Sequence, residues 1–370
     1  MAEKTDRLLS LDALRGFDMF FITGGSALIT AICVACGCGE GWLASQMSHV
    51  PWAGLAHHDT IFPLFLFLAG VSWPFSLASQ EAKGRSAVAI HGKVIVRMLA
   101  FFAIELCLSG LLKLNPHFRL MGVLSFIGFS WGIAALVFMH VRKFSSRAAI
   151  VAALLIGYWA LLRFGIAPDA PAGADSFSKE WNLVSYLDRT VWPNHLYKLG
   201  VYEPESAFSL PGGIALALVG MCTGAWLRRK DVVGGRKVGV LALAAVGCFV
   251  LDLVFVLALG DPIVKALWTP AFVLSAATYS LTMLALFYWI VDVRGWRRWT
   301  FYFRVIGMNS ILIYIMMRLG ILGTLGNFLS GGVAEWAGAP WTAIVRAVGT
   351  LAAGWGVLYV MYRKNAFLRV

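Results

Sequence analysis

Runs of about 20 apolar residues recur along the whole 370-residue chain, and few folds accommodate that pattern. A helix needs about 20 residues to cross the hydrocarbon of a bilayer, and in lipid every backbone N–H and C=O must be bonded within its own segment. A chain made of such runs folds as a bundle of membrane helices. Composition agrees: 59% of residues are hydrophobic and 14% charged, where soluble domains carry about 25% charged, and the mean hydropathy is +0.76. The expected fold class is all-α, a polytopic integral membrane bundle forming one domain over 1–370. The runs predict ten helices, near 9–35, 60–80, 94–112, 120–140, 147–166, 209–228, 237–259, 270–291, 303–320 and 342–361. The first run is too long for a cleaved signal and carries Asp12, Arg15 and Asp18, so it reads as a membrane helix.

A net charge of +12 could suit nucleic acid. The basic residues instead lie in short clusters between apolar runs, which excludes that class and points to loop charges. The clusters are Lys4 and Arg7; Lys83, Arg85, Lys93 and Arg97; Arg142, Lys143 and Arg147; Arg228, Arg229, Lys230, Arg236 and Lys237; Arg294, Arg297, Arg298 and Arg304; and Arg363, Lys364 and Arg369. In a ten-helix bundle all of these fall on one face, while the opposite loops hold Lys113, Arg119, Lys179, Arg189, Lys198 and Lys265. The asymmetry predicts both termini in the cytoplasm of a cell inner-membrane protein, with residues 49–59 on the outer, periplasmic side.

That outer stretch holds the densest chemistry. His49, Trp52, His57, His58 and Asp59 lie within eleven residues and run directly into an apolar helix. Ionisable groups at the mouth of a membrane bundle are costly to place and mark candidate sites. An imidazole can accept a proton near neutral pH, and Asp59 could fix the tautomer of His49 and stabilise its imidazolium. The spacing lacks the helical i, i+4 histidine pair of many zinc sites, so no metal is expected. His57 and His58 read as interfacial polar residues. In the first helix, Asp12, Arg15 and Asp18 recur every three residues and share one face. Either they form an ion pair hydrated at the membrane surface, or they line a polar seam for a ligand from the cytoplasm. The outer loop near 167–208 interleaves Trp181, Tyr186, Trp192 and Tyr197 with Asn182, Asp188, Arg189, Asn194 and His195. Such a mixture suits a sugar or an aromatic belt at headgroup level, and the sequence leaves both open. The Gly-rich stretch Gly326–Pro340 reads as a short outer connection, re-entrant or interfacial. Asn309 lies in an apolar run, where its amide needs a partner from another helix or a ligand. The six cysteines give no zinc framework, and Cys33, Cys36 and Cys38 read as small packing residues.

These motifs resemble the heparan-α-glucosaminide N-acetyltransferase family of transmembrane acyltransferases, including its bacterial relatives. The likeness runs nearly end to end. It rests first on Arg7, Ser10, Asp12, Arg15 and Gly16, then on His49, Trp52, Gly54, Leu55, Asp59, Phe62, Pro63, Phe65, Phe67 and Gly70. Weaker matches follow at Gly122-Val123-Leu124, Asp188-Arg189, His195-Leu196-Tyr197, Val291-Asp292-Val293 with Gly295, Gly307-Met308-Asn309-Ser310 and Tyr362-Arg363-Lys364. The sequence departs from the lysosomal members in two places. Ser125-Phe126 stands where they have Gln-Arg, and Thr23 stands near the position of an upstream asparagine.

The resemblance implies a transmembrane acetyltransferase that moves an acetyl group from cytoplasmic acetyl-CoA to an amino sugar or glycan at the outer face. His49 would then be catalytic, as base or as acyl acceptor, with Asp59 beside it. A base is the simpler role, because one positioned His–Asp pair suffices to deprotonate an ammonium group. Asp12, Arg15, Asn309 and Ser310 are expected on the acetyl-CoA side, and Trp52, Asp188, Arg189 and His195 on the acceptor side. Acetyl-CoA as co-substrate, the acceptor and the lipid bilayer are the implied partners; a homodimer stays open. The rival reading from another class is a permease for amino sugars or related small solutes, with Asp12, Arg15 and Asp18 lining its path.

Overall fold

The computed structural model describes residues 8–368, so Lys4, Arg7 and Arg369 of the sequence motifs lie outside the described residues. The chain is helical throughout, with isolated bridges and no β-strand among the described residues. Among the described residues nine helices are long and apolar enough to cross a membrane: α1 (Leu9–Ala35), α2 (His57–Ala82), α3 (Ala87–Leu108), α4 (Val123–His140), α5 (Phe144–Phe164), α7 (Ala207–Leu227), α8 (Gly234–Ala258), α9 (Pro270–Val293) and α13 (Trp341–Arg363). Helix α6 (Leu183–Val191) lies in the long loop between α5 and α7. Helices α10 (Arg298–Gly307) and α11 (Ser310–Arg318) are bent by 60° at the break between them, and as one broken span they make the tenth. The polytopic helical bundle expected from the apolar runs is therefore present.

Two expectations need correction. The third helix starts at Ala87 rather than near 94, because Ser86 caps it by accepting from the Ala89 amide (3.3 Å). The stretch around Gly326–Pro340 is mostly helix: α12 (Ile321–Ala337) runs antiparallel beside α13. Gly326 in it is a contact point, not a break. A Cβ at Gly326 would collide with Thr350, and one at Gly349 with Ser330, while the Thr342 hydroxyl donates to the Ala334 carbonyl (3.0 Å). Small residues let membrane helices approach closely where lipid supplies no hydrophobic drive between them.

The chain divides into two compact units. The first takes residues 8–50, 56–61 and 283–368. In it α1 crosses α10 backbone to backbone: a Cβ on Gly16 would strike the Phe303 carbonyl, and one on Gly307 the Asp12 carbonyl. Phe17 packs on Phe287 and Phe303 around this crossing. A ladder of Tyr302, Trp355 and Tyr359 rings, stacked at 5.8 and 4.9 Å, ties α10 to α13.

The second unit takes residues 51–55 and 62–282. Here α2 meets α7 at Gly70, Gly220 and Gly224, each of which abuts a backbone carbonyl of the facing helix. Glu105, fully buried in α3, accepts from the Leu124 amide (2.8 Å) and from the Ser109 hydroxyl (3.2 Å), so it caps the start of α4. Ser125 closes the same turn by exchanging hydrogen bonds with the Gly122 backbone (2.8 and 2.9 Å). Phe126 packs fully buried against Trp268 at 4.6 Å. The Ser125-Phe126 departure thus has a packing role at this position.

The α1–α10 crossing gives a direct test. Gly307→Ala should lower thermal stability in detergent by about 1–3 kcal/mol through overpacking. Gly239→Ala on α8, whose Cβ would meet nothing within 4 Å, should leave it unchanged. Equal stability of the two variants would refute the close crossing.

Candidate active site

Asp59 sits in the first turn of α2, where the helix dipole favours a carboxylate. Its side chain is 1% exposed. One oxygen lies 2.7 Å from His49 Nδ1, and the other accepts from the Val50 amide (3.3 Å) and the Ala56 amide (3.2 Å). The two ends of the 49–56 loop are thereby pinned to a single carboxylate. Gln46 completes the start of α2: its side-chain oxygen accepts from the His57 amide (2.9 Å) and its carbonyl from the His58 amide (3.0 Å).

The His49 side chain is 56% exposed although its partner is buried. An ionised carboxylate only accepts, so the imidazole donates from Nδ1, and Nε2 is the nitrogen able to take a proton. This is the arrangement of an oriented general base. His58, read from the sequence as interfacial, stands beside it with ring centroids 4.5 Å apart, and its Nδ1 is 3.1 Å from Ser26 Oγ. Ser26 follows a π-helical turn, Phe21–Gly25, in which Gly24 adopts φ +141°. The Phe21 ring of that turn rests 4.4 Å from the His57 ring. Inserted π turns shift the register of a helix and recur at functional sites. No sequence signal links His58 to Ser26 across 32 residues.

The residues expected on the donor side lie at the α1–α10 crossing of the same unit. Asp12 is buried and Arg15 half-buried on α1, and Gly307 abuts the Asp12 backbone. Asn309 and Ser310 follow at the α10–α11 break, both buried. The Asn309 amide binds the end of the chain: its Nδ2 donates to the Ala366 carbonyl (3.1 Å) and its Oδ1 accepts from the Leu368 amide (2.9 Å).

The residues expected on the acceptor side lie in the second unit, within a folded lobe. Tyr158, Leu162, Phe177, Val184, Val264 and Leu267 form its apolar core, with Trp52 and Phe208 packed against it. The Trp52 indole donates to the Phe177 carbonyl (2.9 Å) and meets the Tyr202 ring edge-on at 5.2 Å. The Lys179 ammonium lies 5.6 and 5.2 Å from these two rings. Asp188 is fully buried and accepts from the Ser206 hydroxyl (2.8 Å). Arg189 pairs with Asp169 (3.1 Å) and donates to the Glu180 carbonyl (2.6 Å). His195 Nδ1 is 2.8 Å from the Phe118 carbonyl. A buried cluster of Arg119 with Glu203 and Glu205 ties the segment before α4 to the one before α7, a pairing across more than 80 residues that no local sequence pattern signals. Burial pushes Asp188 up to about 8, and Glu203, despite Arg119, up to about 7. Among the described residues no three His, Cys, Asp or Glu side chains are placed to hold a metal ion.

Two outcomes are expected. Asp59→Ala should release the 49–56 loop, with faster amide exchange at Val50 and Ala56 and a stability loss of about 1–3 kcal/mol; unchanged protection would show that another group holds it. Asp188 keeps a proton that the unfolded chain loses near pH 4. Its contribution to stability is therefore complete below about pH 4, declines as pH rises, and is gone above about 8. Asp188→Asn should flatten the fall in melting temperature between pH 5 and 8, removing a slope of up to about 1.4 kcal/mol per pH unit. An identical slope in both proteins would exclude Asp188 as its source.

No family model matches the chain. It is similar to the heparan-alpha-glucosaminide N-acetyltransferases of Homo sapiens and Mus musculus, each 26% identical over 369 residues that cover 84% of this chain. The chain spans about half the length of these curated relatives, 52% and 54%. The similarity bears out, at family level, the resemblance drawn from the Asp12 and His49 motifs.

Proposed function

We propose that the chain is a transmembrane acetyltransferase in which His49, oriented by Asp59, deprotonates the amine of an acceptor sugar or glycan. The observation that carries this reading is the 2.7 Å contact between an exposed imidazole and a buried carboxylate. It occurs in a chain whose curated relatives are named as N-acetyltransferases. His49 Nε2 removes a proton from the acceptor ammonium. The freed amine attacks the carbonyl carbon of the acetyl thioester, the C–N bond forms and the C–S bond breaks. The imidazolium returns its proton to the departing thiolate, so each turnover yields an amide, a thiol and one proton released by the ammonium. Asp59 keeps the imidazole in the accepting tautomer and stabilises the transient imidazolium.

The donor is acetyl-CoA, reaching the α1–α10 crossing from the cytoplasm, with Asp12, Arg15, Asn309 and Ser310 on that side. The acceptor meets the outer face, where Trp52 offers an aromatic surface and Asp188, Arg189 and His195 hold the surrounding lobe in shape. The clustering of Lys and Arg in alternate loops supports this orientation in a cell inner membrane.

Purified protein in detergent should transfer acetyl from acetyl-CoA to glucosamine-type amines. His49→Ala should reduce kcat at least about a hundredfold, the usual scale for loss of a general base, in protein that still folds but melts at a lower temperature because Asp59 loses a partner. Retained turnover in that variant would remove His49 from the chemistry. Solute uptake into proteoliposomes without a CoA ester, and no transfer, would replace this reading by the permease.

A further inference from the structure

A cavity of about 590 Å³ opens where four helix ends of the second unit converge. It lies between the last turn of α2, the first turn of α3, the end of α4 and the start of α5. Ile90 and Phe138 give it a buried apolar floor. Its polar wall is Arg85, His91, His140, Arg142 and Arg147, with Glu81 as the one carboxylate among the lining residues. Three guanidinium groups therefore face one opposing charge.

The wall is organised. Arg147 lies over the Phe138 ring at 3.5 Å and donates to the Val141 carbonyl (2.6 Å) and the Phe138 carbonyl (2.8 Å), which fixes its plane at the end of α4. Arg85 donates to the Gln80 side chain (3.2 Å). The rings of His91 and His140 stand edge to face at 5.1 Å. In each ring Nδ1 faces the carbonyl four residues earlier, Ala87 at 2.6 Å and Leu136 at 2.8 Å. Nδ1 therefore carries the hydrogen, and Nε2 is left as the nitrogen that can meet a ligand.

All four helices are candidate membrane spans and the cavity lies at their ends, where a helix that crosses a bilayer meets the headgroups. Val88 and Phe144, both strongly exposed, stand at the starts of α3 and α5 and offer apolar surface beside it. A loop that merely obeys the positive-inside bias needs neither a formed cavity nor a guanidinium clamped in one plane. From this geometry we propose that the cavity binds a phosphate-bearing anion, drawn by the exposed Arg85 and Arg142 guanidinium groups, with the charge of the anchored Arg147 beside them. The shared chemistry is the phosphate. Its source is the headgroup of an acidic phospholipid or the phosphate of a soluble nucleotide. This assignment is independent of the acetyl-transfer reading, because its test measures binding alone.

The test uses full-length protein in neutral detergent. Phosphatidylglycerol, phosphatidylcholine and adenosine 3′,5′-bisphosphate are titrated separately, and binding is read by native mass spectrometry and thermal shift. Arg85→Gln/Arg142→Gln, two exposed positions, is compared with Arg228→Gln/Arg229→Gln, an equal loss of charge elsewhere. His140→Gln serves as a second variant of the wall. Binding of phosphatidylglycerol that falls about thirtyfold in the first pair, and not in the second, supports the site with lipid as the source. The same pattern with the bisphosphate supports it with a nucleotide as the source. Equal weakening in both pairs, no weakening in either, or no binding of either anion to the unsubstituted protein overturns it.

Discussion

The geometry around His49 depends on one buried carboxylate. Burying an ionised group costs several kcal/mol unless charge and hydrogen bonds compensate it. At Asp59 the compensation is local: the first turn of α2, the Val50 and Ala56 amides and the His49 imidazole all address the same two oxygens. The groups that stabilise the charge are the groups it organises. One interaction closes the 49–56 loop, terminates a membrane helix and selects the tautomer of an exposed base. Replacing either His49 or Asp59 by an apolar residue would leave the other without its main partner, so the two positions are energetically a unit.

Glycine contacts set the second constraint. Lipid provides no hydrophobic drive between helices, so close approach depends on small residues. Gly16 and Gly307 let α1 and α10 touch backbone to backbone, which brings the Asp12 turn beside the segment that leads to Asn309 and Ser310. Gly70, Gly220 and Gly224 do the same for α2 and α7 in the other unit. Buried charged residues of the membrane helices sit close to a glycine crossing, as Asp12 does, or cap a neighbouring helix, as Glu105 of α3 does for α4.

The spans were legible because a run of apolar residues has one stable solution in lipid, and the structure departs from that reading where the run is interrupted. Glycine lowers helix propensity in water but is tolerated in a membrane helix, where Gly326 serves as a contact with Thr350, so the 326–332 glycines hid α12. The 60° bend after Gly307 falls at Asn309, whose amide marks a need for a partner but gives no sequence sign of a break. The His49–Asp59 pair could be anticipated from residue types ten positions apart. Its support from Val50, Ala56 and Gln46 could not, since backbone amides leave no trace in composition. His58 shows the converse. Its neighbour Ser26 is brought in by a π turn in another helix, a tertiary effect that no local pattern encodes.

The outer loop was open between a sugar surface and an aromatic belt, and its internal bonding bears on that choice. A segment that merely floats at headgroup level has no need of its own apolar core, a buried Arg119–Glu203–Glu205 cluster or an Asp188 sealed against Ser206. These features fix a lobe. Asp188, Arg189 and His195 make hydrogen bonds within it and so help to hold its shape. The half-buried Trp52 and Tyr202 rings, with the Lys179 ammonium beside them, are the part of the lobe that combines aromatic surface with a charged donor. Trp52 is also the lobe residue nearest His49 along the chain, three positions away, and its indole is anchored at Phe177. The 49–59 stretch thus carries two anchored side chains, an imidazole fixed by a buried carboxylate and an indole fixed by the Phe177 carbonyl.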